Sequence, residues 1–108
     1  MKVQEKYYHL LKSGQKTIEL RLYDEKRRNI KIGDELIFEN LSDSEDSFTG
    51  IVVDLHRAEN FKELAEQISP AHAGFQSKTE LIQTMAEFYS LERQNTEGVL
   101  GIEIKVKK

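Results

Sequence analysis

Lys16, Glu19 and Arg21 fall within one short segment, Gly14-Gln15-Lys16-Thr17-Ile18-Glu19-Leu20-Arg21. Lysine offers a compact charge, arginine a planar fork that fits phosphate or carboxylate, and glutamate an acceptor for amino or hydroxyl hydrogens. On a strand, alternate residues share a face about 7 Å apart. Side chains this long can converge across that distance on one bound group, which is a kit suited to a nucleotide. A basic run follows. From Lys16 to Lys31 there are six basic and three acidic residues, and Arg27, Arg28 and Lys31 within it are candidate contacts for a phosphate backbone. The same alternation also suits an ordinary solvated strand face, where cross-strand ion pairs add about 0.2–1 kcal/mol.

Other chemistries are poorly supplied. The chain has no cysteine, so thiolate catalysis, disulfides and Cys-type zinc sites are excluded. His9, His56 and His72 show no metal-ligand spacing, and there is neither a glycine-rich phosphate loop nor a G-x-S-x-G elbow. No metal and no cofactor is expected. If the chain is an enzyme, Lys16 and Glu19 are the pair for acid–base work. Tyr7, Tyr8 and Tyr89 offer faces on which a base could stack, or partial burial in the core.

These residues need elements to hold them. Val3, Tyr7, Leu10 and Leu11 share one helical face and Gly14 follows, which predicts a helix over 4–13, preceded at most by a very short strand. Ile18, Leu20 and Leu22 alternate with Thr17, Glu19, Arg21 and Tyr23, which predicts a strand with one buried face. Ile30 and Ile32 are expected to tuck the next loop onto the core. Leu36–Phe38 and Phe48–His56 read as strands, with Ile51, Val53 and Leu55 on one face of the second. The acidic run "NLSDSEDS" between them reads as a flexible hairpin loop. Asn60 with Glu63, and Ser77 with Glu80, have capping-box spacing at the heads of two helices, and Pro70 ends the first. Leu81, Met85, Phe88 and Tyr89 form the apolar face of the second. The alternating "GVLGIEIKVKK" is a closing strand whose lysines suit an edge or an exposed face. Strands in runs, with helices inserted rather than alternating, indicate α+β with a mixed or antiparallel sheet.

With 108 residues, one domain spanning 1–108 is expected. Apolar residues make up 38% and charged residues 32%, a globular rather than disordered composition. A net charge of −3 argues against nucleic-acid binding by bulk charge. Nothing approaches about 18 consecutive apolar residues, so no membrane partner is expected. The N-terminus also lacks a signal-peptide core, which makes the cytoplasm the expected location.

The segment fits G-x-K-x-x-E-x-R, and "KIGDELIF" after the basic loop fits K-x-G-D-x-I-x-F. Together with the leading "KYYHLLKSG" and the final "GVLGIEI", these resemble the ASCH domain family of the PUA-like superfamily over nearly the whole chain. The resemblance implies a small β-barrel of about five or six strands with flanking helices and a cleft lined by Lys16, Glu19 and Arg21. It also implies binding of RNA or a nucleotide-like small molecule, the role proposed for ASCH domains. One branch of the family hydrolyses the acetyl amide of N-acetylated cytidine, with a motif Lys, a Thr at the motif Glu position and a later Glu. Another cleaves single-stranded RNA without a metal. Here Lys16 matches the Lys, Glu19 stands where that Thr would be, and Glu80 is the one Glu that the region "ISPAHAGFQSKTE" offers for the later position. Three readings follow: a binding module, a small metal-independent hydrolase, and a partner-binding domain in which Glu19 and Arg21 merely pair.

Overall fold

The computed structural model describes residues 1–108. A two-residue strand, Lys2–Val3 (β1), precedes the expected helix, Glu5–Ser13 (α1). Gly14 ends α1 in the left-handed conformation that glycine adopts without penalty, at φ 84°. The motif strand is Ile18–Leu22 (β2), and the hairpin is Glu35–Asn40 (β3) and Asp43–Ala58 (β4). Next come Phe61–Gln67 (α2), a 3-10 turn at Pro70–Ala73, Lys78–Phe88 (α3), Leu91–Glu97 (α4) and Val99–Val106 (β5). The five strands form one mixed sheet in the order β1-β3-β4-β5-β2, parallel between β1 and β3 and antiparallel elsewhere. It is a half-barrel of α+β type: β1 and β2 are its two edges and are not joined by a ladder. No helix is long and apolar enough to cross a membrane.

Both predicted caps form. Asn60 Oδ1 accepts from the Glu63 N–H at 2.9 Å, and Ser77 Oγ accepts from the Glu80 N–H at 3.1 Å. The core lies on both sides of the sheet. Ile18, Leu20 and Leu22 pack with Phe61, Leu64 and Leu81 beneath α2 and α3. Leu100, Ile102 and Ile104 pack with Val3, Tyr8 and Phe38 inside the half-barrel.

Four sequence expectations change, and one open choice is decided. The acidic run is no loop, because β4 already begins at Asp43 and only Leu41 and Ser42 turn the hairpin. One of its charges is tied to α1: Asp46 accepts from Tyr8 Oη at 2.9 Å and from Lys12 Nζ at 3.1 Å. Val53 does not share a face with Ile51 and Leu55. Val52 lies opposite Ile104 and Asp54 opposite Glu103, so Val53 is the extra residue of a bulge, and it is exposed. Of the two placements that suited the lysines of β5, the exposed face holds: β5 lies between β4 and β2, with Lys105 exposed. Of the two loop isoleucines only Ile30 packs on the core, while Ile32 is exposed. Finally, α4 had no apolar period to announce it. Its one buried residue is Gln94, whose Oε1 accepts from the Phe61 N–H and whose amide donates to the Tyr89 carbonyl.

The Tyr8 phenol is pushed up to about 12 by burial, with the hydrogen bond to Asp46 adding to it. A group whose folded pKa is raised contributes stability that is complete below its unfolded value, here 10, and is lost as pH rises through the folded value. An ultraviolet titration of the folded chain should therefore leave one tyrosine protonated past pH 11, with stability falling between pH 10 and about 12.

Candidate functional site

The start of β2 is clamped from two sides. The Lys16 N–H donates to the Leu10 carbonyl at the end of α1 (2.9 Å), and the Thr17 N–H donates to the His72 carbonyl in the 3-10 turn (2.8 Å). Gly74 closes that turn at φ 89°, and a Cβ placed there would stand 3.3 Å from Cδ of Lys16. Gly74 is thus a positioning residue that spacing alone did not reveal. Gly74→Ala should cost about 1–2 kcal/mol for the left-handed backbone and displace the Lys16 stem. Urea denaturation measures the first effect, and ligand titration the second.

The motif face is not solvated. Lys16 is 4% exposed and Glu19 5%. Glu19 and Arg21 lie opposite Ile102 and Leu100, and so project into the half-barrel. Glu19 Oε1 is 2.9 Å from Lys16 Nζ. Its Oε2 accepts from Arg21 Nε at 2.9 Å and lies 2.8 Å from Arg21 Nη2. Nη2 also donates to the Lys2 carbonyl on β1, at 2.6 Å, so Arg21 spans the open seam between the two sheet edges. Burial pushes the Glu19 carboxyl up, but the charges of Lys16 and Arg21 and their hydrogen bonds outweigh it and hold it below the usual carboxylate range. The buried triad carries a net charge of +1.

Above the triad is a cavity of about 220 Å³. Tyr7, Phe75, Met85, Phe88 and Tyr89 give it apolar walls. The Tyr7 ring faces Lys16 Nζ, 4.5 Å from its centroid, and lies 6.0 Å from the Phe75 ring. Burial raises the Tyr7 phenol, as do the charges of Glu80, Glu19 and Glu87. Glu80, half-buried at the head of α3, therefore acts electrostatically on the cleft, although it does not line it.

All three motif residues line this cavity, and so do Tyr7 and Tyr89. Arg27, Arg28 and Lys31 do not. Arg27 Nη1 pairs with Asp24 at 2.6 Å, Arg28 reaches Glu97 at 3.4 Å and the Tyr23 carbonyl at 3.2 Å, and Lys31 is exposed. Tyr8 is fully buried and turned to Asp46 instead. Among the histidines, only His56 meets more than one carboxylate, with Glu103 at 3.0 Å and Asp54 at 3.8 Å, away from the cleft.

The ASCH domain model matches residues 1–108. The crystal structure of hypothetical protein PH0355 is similar, at 38% identity and a TM-score of 0.86, covering 99% of this chain and 96% of that one. The solution NMR structure of protein PF0455 from Pyrococcus furiosus is 33% identical, with a TM-score of 0.73 over 100% of this chain and 99% of that one. The crystal structure of ASCH from Zymomonas mobilis shares the fold at 12% identity, with a TM-score of 0.67 over 97% of this chain and 64% of that one. No curated protein matches the sequence. With the family model spanning every residue and the motif face buried at one cleft, the chain belongs to the ASCH domain family.

Proposed function

We propose that the cleft holds a nucleotide-like group, free or carried on RNA, with Lys16, Glu19 and Arg21 as its polar contacts. The observation that carries this is the buried triad with its net positive charge beneath aromatic walls. A surplus cation held away from water favours a ligand with a negative or strongly accepting group. Tyr7 and Tyr89 offer stacking faces, which suit any base. Membership of a family generally thought to bind RNA supports the same reading. Titration of single-stranded RNA and of mononucleotides at low salt tests it; absence of binding to both ends it.

The basic loop lies outside the cleft and offers a second contact to an RNA longer than the group held there. Lys26, Arg28 and Lys31 are its exposed cations, whereas Arg27 is half-buried against Asp24. Replacing both Arg28 and Lys31 by alanine should weaken RNA binding and flatten its salt dependence by about two phosphate contacts, while mononucleotide affinity stays unchanged. Salt-series titrations of the two ligands make that comparison.

The geometry favours holding over hydrolysis. A general base works best with a pKa near the working pH. Glu19 is held below the carboxylate range with a cation on each oxygen, which makes it a weak base. N-acetylated cytidine and labelled single-stranded RNA should both be recovered intact after incubation. Turnover that disappears in Lys16→Met reverses the order of the two readings.

A further inference from the structure

The half-barrel has an open seam, and the two strand edges that face it carry main-chain groups without a protein partner. Along β2, the Thr17 carbonyl accepts from the Ile104 N–H and the Tyr23 N–H donates to the Gly98 carbonyl. The odd-numbered residues therefore face β5. In an antiparallel ladder the residues between them turn N–H and C=O the other way. Leu20 is one of these; it lines the cleft, while Ile18 and Leu22, which also turn outward, do not. Across the seam, the Met1 and Val3 carbonyls accept from β3 and the following turn, which turns Lys2 outward. Its carbonyl takes Arg21. Leu20 is 4% exposed and lines the cleft, and the ladder turns its N–H and C=O away from β5, toward the open seam, as a donor–acceptor pair. Buried main-chain groups left without partners are rare, and a ligand that completes them gains from doing so.

We propose that the cleft reads one nucleobase by its hydrogen-bonding edge through the main chain of Leu20, with the base plane packed against the aromatic wall. This rests on the nucleotide-binding reading above and adds how the base is read. Every base carries an adjacent donor and acceptor on its pairing edge, the counterpart of the N–H and C=O of one strand residue. Size agrees: about 220 Å³ is smaller than the ~300–1,000 Å³ of sites for drug-sized ligands, and it fits one base rather than a run. Strand addition by a peptide needs several successive free residues. Here the neighbouring outward-turned residues, Ile18 and Leu22, lie outside the cleft.

The test uses the full 15N-labelled chain and four nucleosides: uridine, cytidine, 3-methyluridine and N4,N4-dimethylcytidine. The methyl groups remove the in-plane donor and keep the ring. The parent nucleosides should shift the Leu20 amide downfield and slow its hydrogen exchange, and the methylated ones should bind at least tenfold more weakly. If the parents bind but the Leu20 amide does not move, or the methylated forms bind equally well, main-chain reading is overturned and nucleotide binding stands. If no nucleoside binds, main-chain reading falls, and the mononucleotide and RNA titrations decide nucleotide binding by themselves. A short extended peptide that shifts Leu20 and Lys2 where nucleosides do not also overturns it.

Discussion

Glu19→Gln is expected to lower the unfolding free energy by about 3–5 kcal/mol, the cost of removing one partner from a buried ion pair. For a domain of this size that is a fall in Tm of roughly 15 °C or more, read by calorimetry. The magnitude follows from the triad. With the carboxylate neutralised, Lys16 and Arg21 remain as two like charges on a face that water hardly reaches. Replacing the whole triad by apolar residues of similar size should recover much of the loss, because apolar packing often matches a buried pair. The pH dependence has a definite sign. The folded carboxyl titrates below its ordinary value of 4.5, so its contribution is complete above that pH and is lost as pH falls through the lower folded value. Wild type should therefore lose stability on acidification below about pH 4.5, and Glu19→Gln should be flatter there.

Lys16→Met should separate binding from folding. Its loss leaves Glu19 with Arg21, a balanced pair joined by one hydrogen bond and a 2.8 Å ion-pair contact, so the destabilisation should be well below that of Glu19→Gln. The ligand meanwhile loses the surplus charge at the floor of the cleft. A hydrogen bond to a charged group contributes about 1.5–3 kcal/mol, so nucleotide affinity should fall ten- to hundred-fold. Calorimetric titration beside a thermal melt gives both numbers. A variant that binds like wild type removes Lys16 from the site. One that loses as much stability as Glu19→Gln makes the lysine structural, as the partner-binding reading would have it.

The elements were legible where local physics decides them. The helix stop at Gly14, the caps at Asn60 and Ser77 and the alternation of β2 and β5 are properties of a few adjacent residues. Misreadings arose where distant partners decided. The run from Asp43 to Ser47 joins a strand because Tyr8 and Lys12 of α1 reach Asp46 and β3 pairs with its two ends, Asp43 and Ser47, across an irregular stretch. The bulge at Val53 depends on the register with β5, and α4 on a buried glutamine amide that bridges two other elements.

The sequence by itself determined the family, the strand that bears the motif, and that Glu19 and Arg21 share a face of it; a two-residue period settles this whatever lies around the strand. Only the tertiary structure decided that this face is buried. Charge on an alternating strand looks the same whether water or a second layer covers it, and here α1, the segment that follows the 3-10 turn, and α3 supply that layer through Tyr7, Phe75 and Met85. The same folding excluded Arg27, Arg28 and Lys31 from the cleft. Their loop is adjacent in sequence, but ion pairs to Asp24 and Glu97 hold the two arginines elsewhere. Proximity along the chain groups charges; burial selects which of them form a site.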